Sequence, residues 1–377
     1  MPRLADACAP HLTKVNAHRI RAMLRRIKPN RGRTYNDRVT DRDHNKPYAG
    51  LSPDVVLDAV ESVGLRSDGR QFALNSYENR VYQVGIEDAV PLIAKFYRPR
   101  RWTDAQILEE HAFAAELAAE EIPVVAPLAF DGRTLLEHEG FRFTLFPRHG
   151  GRAPELEDPV TLEWLGRFIG RIHAVGAVHG FAHRPRIDVE TFGVEPRDWL
   201  LASAFLPEDL RASWSGAAEL AIEGARAAFA RAGDVAGIRL HGDCHAGNVL
   251  WRPATGNAPG GPHFVDLDDA RTGPAVQDLW MLLSGERESM CRQLGHVLRG
   301  YEDFMAFDDR ELALVEALRT LRLLHYSAWI ARRWDDPAFP IAFPWFNTQR
   351  YWQDRVLELR EQIAAMQEPA LTPIGGR

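Results

Sequence analysis

Between Arg239 and Trp251 the chain reads RLHGDCHAGNVLW, a loop crowded with polar side chains held between two apolar runs. A second run of strand character, HFVDLDD, follows at His263 to Asp269. A β-hairpin made of VLW and HFV brings Asn248 and Asp266 opposite one another, each at a strand end. Any fold for this chain must hold that hairpin rigid, cover its flanks and leave the loop reachable from solvent.

The loop admits more than one chemistry. His241, Cys244 and His245 are good zinc ligands, and Asp243 is a possible fourth. Adjacent ligands such as Cys244 and His245 do not match the usual metal spacings, however, and no second Cys/His cluster completes a site. Phosphoryl transfer fits better. It asks the protein for position and charge neutralisation more than for covalent chemistry. Asp243 supplies a carboxylate to orient an acceptor hydroxyl. Asn248 supplies a neutral oxygen and Asp266 an anionic one, the hard ligands that Mg²⁺ prefers. Upstream, Lys95 ends the apolar run PLIA, where a strand can aim an ammonium at phosphates, and Glu110 on the next helix is suited to hold it.

The rest of the chain supplies two dissimilar halves. Ser52 and Pro53 read as the cap and first position of a helix that stops at Gly64. The runs RQFAL and RVYQV, joined by NSYEN, read as a hairpin, and VPLIAKFY follows as a third strand. TDAQILEEHAFAAELAAEEI reads as a helix capped by Thr103 and ended before Pro123, with RTLLEH and FRFTLF as two further strands. Beyond Pro147 the periodicity is mainly helical, interrupted by the polar loop and its partner run. The expectation is a basic extension at residues 1–48, a small β-rich lobe at 49–147, a larger helical lobe at 148–370 and a tail at 371–377.

Charge sharpens this division. Residues 1–50 hold twelve Lys/Arg against four Asp/Glu, a balance of +8 that leaves −14 for the remainder within a total of −6. The extension contains HLTKVNAHRIRAMLRRIK, a basic amphipathic pattern, followed by a stretch almost without apolar residues that reads as flexible. An acidic body disfavours nucleic acid as its partner. No apolar run approaches the roughly 18 residues of a membrane helix, and the N-terminus shows no secretory pattern. The three cysteines are scattered and form no CxxC pair, which points to a reducing cytoplasm and a monomer without disulfides.

HGDCHAGN resembles the kinase catalytic-loop pattern H-x-D-x-x-x-x-N, and FVDLDD stands where kinases carry D-F-G. With LNSYENRVYQV, KFYRPRRWT, ILEEH, FVDLDDARTGPAVQDLWMLL and RRWDDPAFPIAFPW, the chain resembles the bacterial stress response kinase A family. That family lies within the aminoglycoside phosphotransferase and choline kinase branch of the protein-kinase-like fold. The likeness spans about residues 50–370. It implies an α+β, two-lobed architecture and a serine/threonine protein kinase using ATP and Mg²⁺, with Ser/Thr protein acceptors and autophosphorylation among them. Asp243 matches the residue that orients the acceptor hydroxyl, while Asn248 and Asp266 match the metal ligands. Lys95 and a helix glutamate, either Glu109 or Glu110 with Glu110 preferred, match the ion pair that positions the phosphates. Ser76 matches a position approaching ATP, and Phe146 and Pro147 lie at the joint between lobes near the adenine.

Two departures stand out. NSYEN replaces the glycine-rich phosphate loop, and only eleven residues separate Asp266 from Asp278, leaving no room for a long activation segment. A small-molecule kinase on the same scaffold and a nucleotide-binding pseudokinase are the alternatives. An open groove beside Asp243 favours a protein acceptor and an enclosed acidic pocket a small molecule. Duller roles remain open for several residues: His241 beneath the loop, Cys244 and His245 in shaping the turn, Asp268 in metal binding or in solvating the strand end. Asp278 is either a helix cap or a brace for the loop. The aromatic series from Tyr326 to Trp352 reads as packing, with a share lining the acceptor site.

Overall fold

The computed structural model describes residues 47–256 and 260–375. The predicted basic extension therefore lies outside the described residues up to residue 46. Pro47 and Tyr48 already belong to the body: the Tyr48 hydroxyl donates to the Glu78 carbonyl at 3.0 Å, and the Arg80 guanidinium lies 4.3 Å over its ring.

The first lobe is a five-stranded antiparallel sheet in the order β1-β2-β3-β5-β4, built from β1 (Ser67–Ala73), β2 (Arg80–Ile86), β3 (Leu92–Phe96), β4 (Leu136–His138) and β5 (Phe141–Pro147). Helix α1 (Pro53–Glu61) covers one face. Ser52 caps it by accepting from the Val55 N–H, and Val56, Ala59 and Val60 pack with Val84, Ala94, Phe96, Phe143 and Leu145. Because strand side chains alternate, that burial commits the opposite face to the cleft. The register pairs Val81 with Lys95 and Lys95 with Thr144, and it pairs Gln83 with Ile93 and Ile93 with Phe146. Lys95, Thr144 and Phe146 thus share the cleft face. Helix α2 (Asp104–Ala119) begins at the predicted Thr103 cap, which forms a reciprocal capping box with Gln106.

The second lobe is helical: α3 (Pro159–Gly176), α4 (Glu195–Ala202), α5 (Glu208–Ala232), α6 (Val276–Trp280), α7 (Arg287–Tyr301), α8 (Val315–Ala331), α9 (Ala338–Ala342) and α10 (Gln349–Ala365). Its core runs from Leu165 and Ile169 through Trp214, Leu294 and Leu321 to Trp352. The last helix, α10, was read in the sequence only as part of an aromatic packing series. Trp352 is fully buried and meets Trp214 edge-on at 6.2 Å, which explains the aromatic density there. The C-terminal segment packs on α7, with Leu371 buried and the Ile374 N–H donating to the Cys291 carbonyl at 3.0 Å. Among the described residues no helix is long and apolar enough to cross a membrane.

A short pair of strands, β6 (Ile238–Leu240) and β7 (Arg271–Gly273), brackets the polar loop. Inside it, Leu250 and His263 exchange backbone hydrogen bonds of 2.8 and 3.0 Å, and Val265 N–H donates to the Asn248 carbonyl at 3.0 Å. This is the hairpin of VLW and HFV, and it sets Asn248 and Asp266 across from each other. Phe264 also bridges to Val124, which ties the hairpin to the segment between α2 and β4 of the first lobe.

Candidate active site

Gly242 begins the loop with φ +85°, and a Cβ there would meet the Asp269 carbonyl at 2.1 Å, so only glycine fits this close crossing. Asp278 on α6 anchors the same point. Its carboxylate accepts from the His241 N–H at 2.8 Å, the Gly242 N–H at 2.9 Å and the His173 imidazole at 3.1 Å, with no solvent exposure. Of its two readings, brace rather than cap is the one built here. His241 completes the support through Nε2 to the Val265 carbonyl at 3.0 Å.

The loop side chains diverge in a way that suits no zinc ion. Cys244 points into the core of the helical lobe with 1% exposure, and burial pushes its thiol pKa up. His245 accepts the Gly247 N–H on Nδ1 at 2.9 Å, so its proton lies on Nε2, which faces the Asp243 carboxylate at 3.5 Å. Asp243 also receives the Arg322 guanidinium of α8 on Oδ1 at 2.7 Å. Burial would raise the Asp243 pKa, but the His245 hydrogen bond and the Arg322 charge outweigh it and hold the carboxyl at about 2. The residue is therefore an anion at any physiological pH, ready to orient a hydroxyl.

Asn248 spends its amide nitrogen on the Asp243 carbonyl at 2.9 Å and leans toward the Asp243 carboxylate at 3.4 Å. That choice leaves its amide oxygen as an acceptor, available as a metal ligand. Asp266 sits opposite in the left-handed region, φ 60° and ψ 64°, a conformation costing an L residue roughly 1–2 kcal/mol. Its side chain is 53% exposed although its neighbour Asp268 is buried. One neutral and one anionic oxygen facing a cleft fit Mg²⁺, which completes its shell with water and substrate phosphate. Above them, the Thr144 hydroxyl oxygen is buried without a partner on the face shared by Lys95 and Phe146. An orphaned polar atom there fits a ligand entering the cleft.

Lys95 is buried and reaches Asp266 at 2.9 Å and Asp268 at 3.0 Å. Burial would lower its pKa, yet Asp266, Asp268 and Glu110 together hold it well above the usual lysine range. The direct Lys95–Glu110 pair expected from the sequence is not formed. Glu110 instead takes the Arg184 guanidinium at 3.0 Å, while Arg184 also donates to the Asp268 carbonyl at 2.6 Å. Three carboxylates compete for one ammonium, and a guanidinium with several donors satisfies the third. Burial raises Glu110 to about 7, opposed by Lys95 and Arg184. Its neighbour Glu109 faces away and accepts the His183 and Arg184 N–H groups at 3.0 and 2.8 Å, which settles the direction of each glutamate. Asp268 is buried and does not solvate the strand end. Lys95 and Arg101 hold it, and they depress its pKa against the effect of burial.

Ser76 closes the β1–β2 turn by donating its hydroxyl to the Asn79 carbonyl at 3.0 Å. The turn is tied to the second lobe by Glu78, which meets the Trp329 indole at 2.6 Å and Arg333 at 2.5 Å. Arg80 and Arg98 converge on buried Asp336 at 2.9 and 2.8 Å. Sequence reasoning assigned no role to Glu78, Arg98, Arg101, Arg184, Arg322 or Asp336. Four of these lie in KFYRPRRWT, LNSYENRVYQV and RRWDDPAFPIAFPW, where unusual charge beside aromatics was the available signal.

Between α8 and α10 runs an open groove of about 390 Å³, lined by Tyr326, Trp345, Thr348, Arg350, Tyr351, Asp354 and Arg355. Tyr326 lies one helical turn beyond Arg322, and Tyr77 of the β1–β2 turn reaches the same wall through Phe343 at 5.1 Å.

Comparison with known proteins accords with this geometry. A sequence profile described as the phosphotransferase enzyme family matches residues 69–315. The chain is 47% identical over 324 residues to stress response kinase A of Escherichia coli K12, covering 86% of this chain and 96% of that one. It is 44% identical to the serine/threonine protein kinase RdoA of Salmonella typhimurium LT2, covering 87% and 98% respectively. Among solved structures it resembles an amicoumacin kinase complexed with AMP-PNP, Ca²⁺ and its antibiotic, with TM-score 0.61, 18% identity and coverage of 82% and 91%. A microcompartment-associated aminopropanol kinase gives TM-score 0.62 at 18% identity, covering 83% and 97%. A kinase or phosphotransferase name is what these relatives share: the chain belongs to the stress response kinase A family of phosphotransferases.

Proposed function

We propose that the protein is an ATP- and Mg²⁺-dependent serine/threonine protein kinase acting inside the cell. The observation that carries this reading is the surface reached along α8 from Asp243: Arg322 contacts its carboxylate, and one helical turn on, Tyr326 begins an open groove walled also by Trp345, Tyr351, Arg350 and Arg355. Extended chain can lie along such a surface, whereas a small acceptor needs to be surrounded. The relative named as a serine/threonine protein kinase at 44% identity supports the same class. The solved relatives named for amicoumacin and aminopropanol support the scaffold alone, because acceptor choice resides in the site and not in the fold.

In this reading Asn248 and Asp266 hold Mg²⁺ against the nucleotide phosphates. The bound cation neutralises charge on the transferring group. Lys95 contributes a fixed ammonium to the phosphates, held in place by Asp268 once Asp266 turns to the metal. Thr144 and Phe146 face the nucleotide from the sheet. Asp243 accepts the hydrogen bond of the acceptor hydroxyl and aligns its oxygen for in-line attack on the γ-phosphorus. Preorganised charge in a cleft is the main source of rate in such transfers.

The test is transfer of labelled γ-phosphoryl from ATP with Mg²⁺ onto a generic protein acceptor and onto the protein itself, followed by phosphoamino-acid analysis. Label on serine or threonine supports the assignment. ATP binding without label on any protein overturns it in favour of a small-molecule acceptor.

A further inference from the structure

The side chain that most directly controls access to Asp243 is one that the mechanism above does not use. Arg322 projects from α8 onto Asp243 Oδ1 at 2.7 Å, the shortest polar contact that carboxylate makes. The other oxygen is engaged only loosely, by His245 at 3.5 Å and by Asn248 at 3.4 Å. An acceptor hydroxyl approaching Asp243 meets Oδ1 already ion-paired with a guanidinium. That guanidinium is not locked in place: its side chain is 34% exposed, and Asp243 is its only ion-pair partner among the described residues.

The same face carries more cation than anion. Arg350 and Arg355 line the groove, and Asp354 is its one acidic lining residue. Arg355 is matched by Glu358, and Arg350 lies 3.7 Å from Asp354 with 90% of its side chain exposed. Arg322 has no such neighbour outside the catalytic carboxylate itself. A cationic acceptor brought here faces repulsion at short range, whereas an anionic group finds a guanidinium it can recruit.

We propose that Arg322 reads the acceptor: a carboxylate side chain next to the target serine or threonine draws the guanidinium off Asp243 and frees Oδ1 for the hydroxyl. The exchange replaces one ion pair with another, and Asp243, in giving up Arg322, keeps the His245 Nε2–H and Asn248 and gains the acceptor hydroxyl. This makes the enzyme selective for Ser/Thr sites in acidic peptide, and it rests on the protein-kinase reading. Arg322 is here a specificity residue that acts on the base through its own displacement. The aromatic wall of Tyr326, Trp345 and Tyr351 supplies contact area for the backbone of that peptide.

The experiment uses the full chain with labelled ATP and Mg²⁺ and three peptides with the same serine. The residues flanking that serine are Asp/Glu in one, Ala in the second and Lys in the third. The expected order is acidic, neutral, basic, with kcat/KM for the acidic peptide above the neutral one by roughly tenfold or more, as a charge pair near a protein surface allows. Arg322→Glu is expected to reverse the order and rescue the Lys-flanked peptide, an inversion that a merely structural role for Arg322 cannot produce. Arg322→Ala should flatten the three values. Equal kcat/KM for all three peptides in the unaltered protein overturns the inference and leaves the protein-kinase reading standing. Absence of transfer to every peptide, with ATP still bound, overturns both.

Discussion

Asp278 carries more of the catalytic loop than any other side chain, and the cost of altering it follows from its three contacts. In the unaltered protein Oδ1 takes the Gly242 N–H, and Oδ2 takes the His241 N–H and the His173 Nε2–H, at 2.8 to 3.1 Å and without solvent. Asp278→Asn keeps one oxygen and turns an NH₂ group toward a donor. Its best arrangement places the amide oxygen where Oδ2 was and leaves the Gly242 N–H facing another N–H. Losing one charge-assisted bond, weakening two more and burying an unpaired donor amounts to about 2–4 kcal/mol. Asp278→Ala orphans all three donors and opens a small cavity, about 4–7 kcal/mol in total. Against the 5–15 kcal/mol typical of a folded domain, the Asn variant remains folded and the Ala variant is marginal. Urea denaturation of the Asn variant should show this loss in midpoint at unchanged slope. Its kcat should fall while KM for ATP moves little, because the anchored atoms lie next to Asp243 and away from Lys95. A loss below about 0.5 kcal/mol with unchanged kcat would refute the idea that Asp278 holds the loop.

Three further outcomes are expected. Lys95→Met should lower kcat/KM for ATP by at least about a hundredfold, the scale of removing one preorganised charge. Circular dichroism should stay native because Arg101 still pairs with Asp268; an active variant would contradict the role given to Lys95. Gly242→Ala should destroy activity and reduce the melting temperature, since its Cβ would lie 2.1 Å from the Asp269 carbonyl at φ +85°. Glu311 is buried against the Val276 N–H, and burial raises its pKa to about 7 from the carboxylate value. A folded pKa above the unfolded one means that ionisation opposes folding, so this residue costs stability as pH rises from about 4.5 to 7. Glu311→Gln should therefore raise stability relative to the unaltered protein at pH 8 and not at pH 4; an equal effect at both would contradict it.

The sequence carried the parts of the site that are local. Asp243 and Asn248 lie five residues apart on one loop, and the hairpin pattern alone placed Asp266 across from Asn248. Lys95 was legible because it closes the apolar run PLIA, one residue before the end of β3, and the Thr103 cap fixed where α2 begins. Pairing was not legible, because it is decided by elements distant in the chain. Glu110 meets Arg184 from a loop 74 residues later, and Arg322 reaches Asp243 from a helix beyond the catalytic loop. An arginine on an amphipathic helix looks the same in sequence whether it faces water or a catalytic carboxylate. Asp268 was similarly ambiguous until Arg101, from the turn after β3, closed on it and on Asp269. Of the aromatic series, Phe339 and Trp352 pack in the core, while Tyr326 and Trp345 line the groove between α8 and α10.

The central claim is that Asp243 orients a protein hydroxyl for attack on ATP held elsewhere in the cleft. Its most direct test measures ATP binding and phosphoryl transfer to serine or threonine separately, in the unaltered protein and in Asp243→Ala, with Mg²⁺ present. The account predicts ATP affinity within a few-fold and transfer reduced by a factor on the order of a thousand or more. Transfer that survives in Asp243→Ala, or affinity for ATP that is lost along with it, would contradict the account.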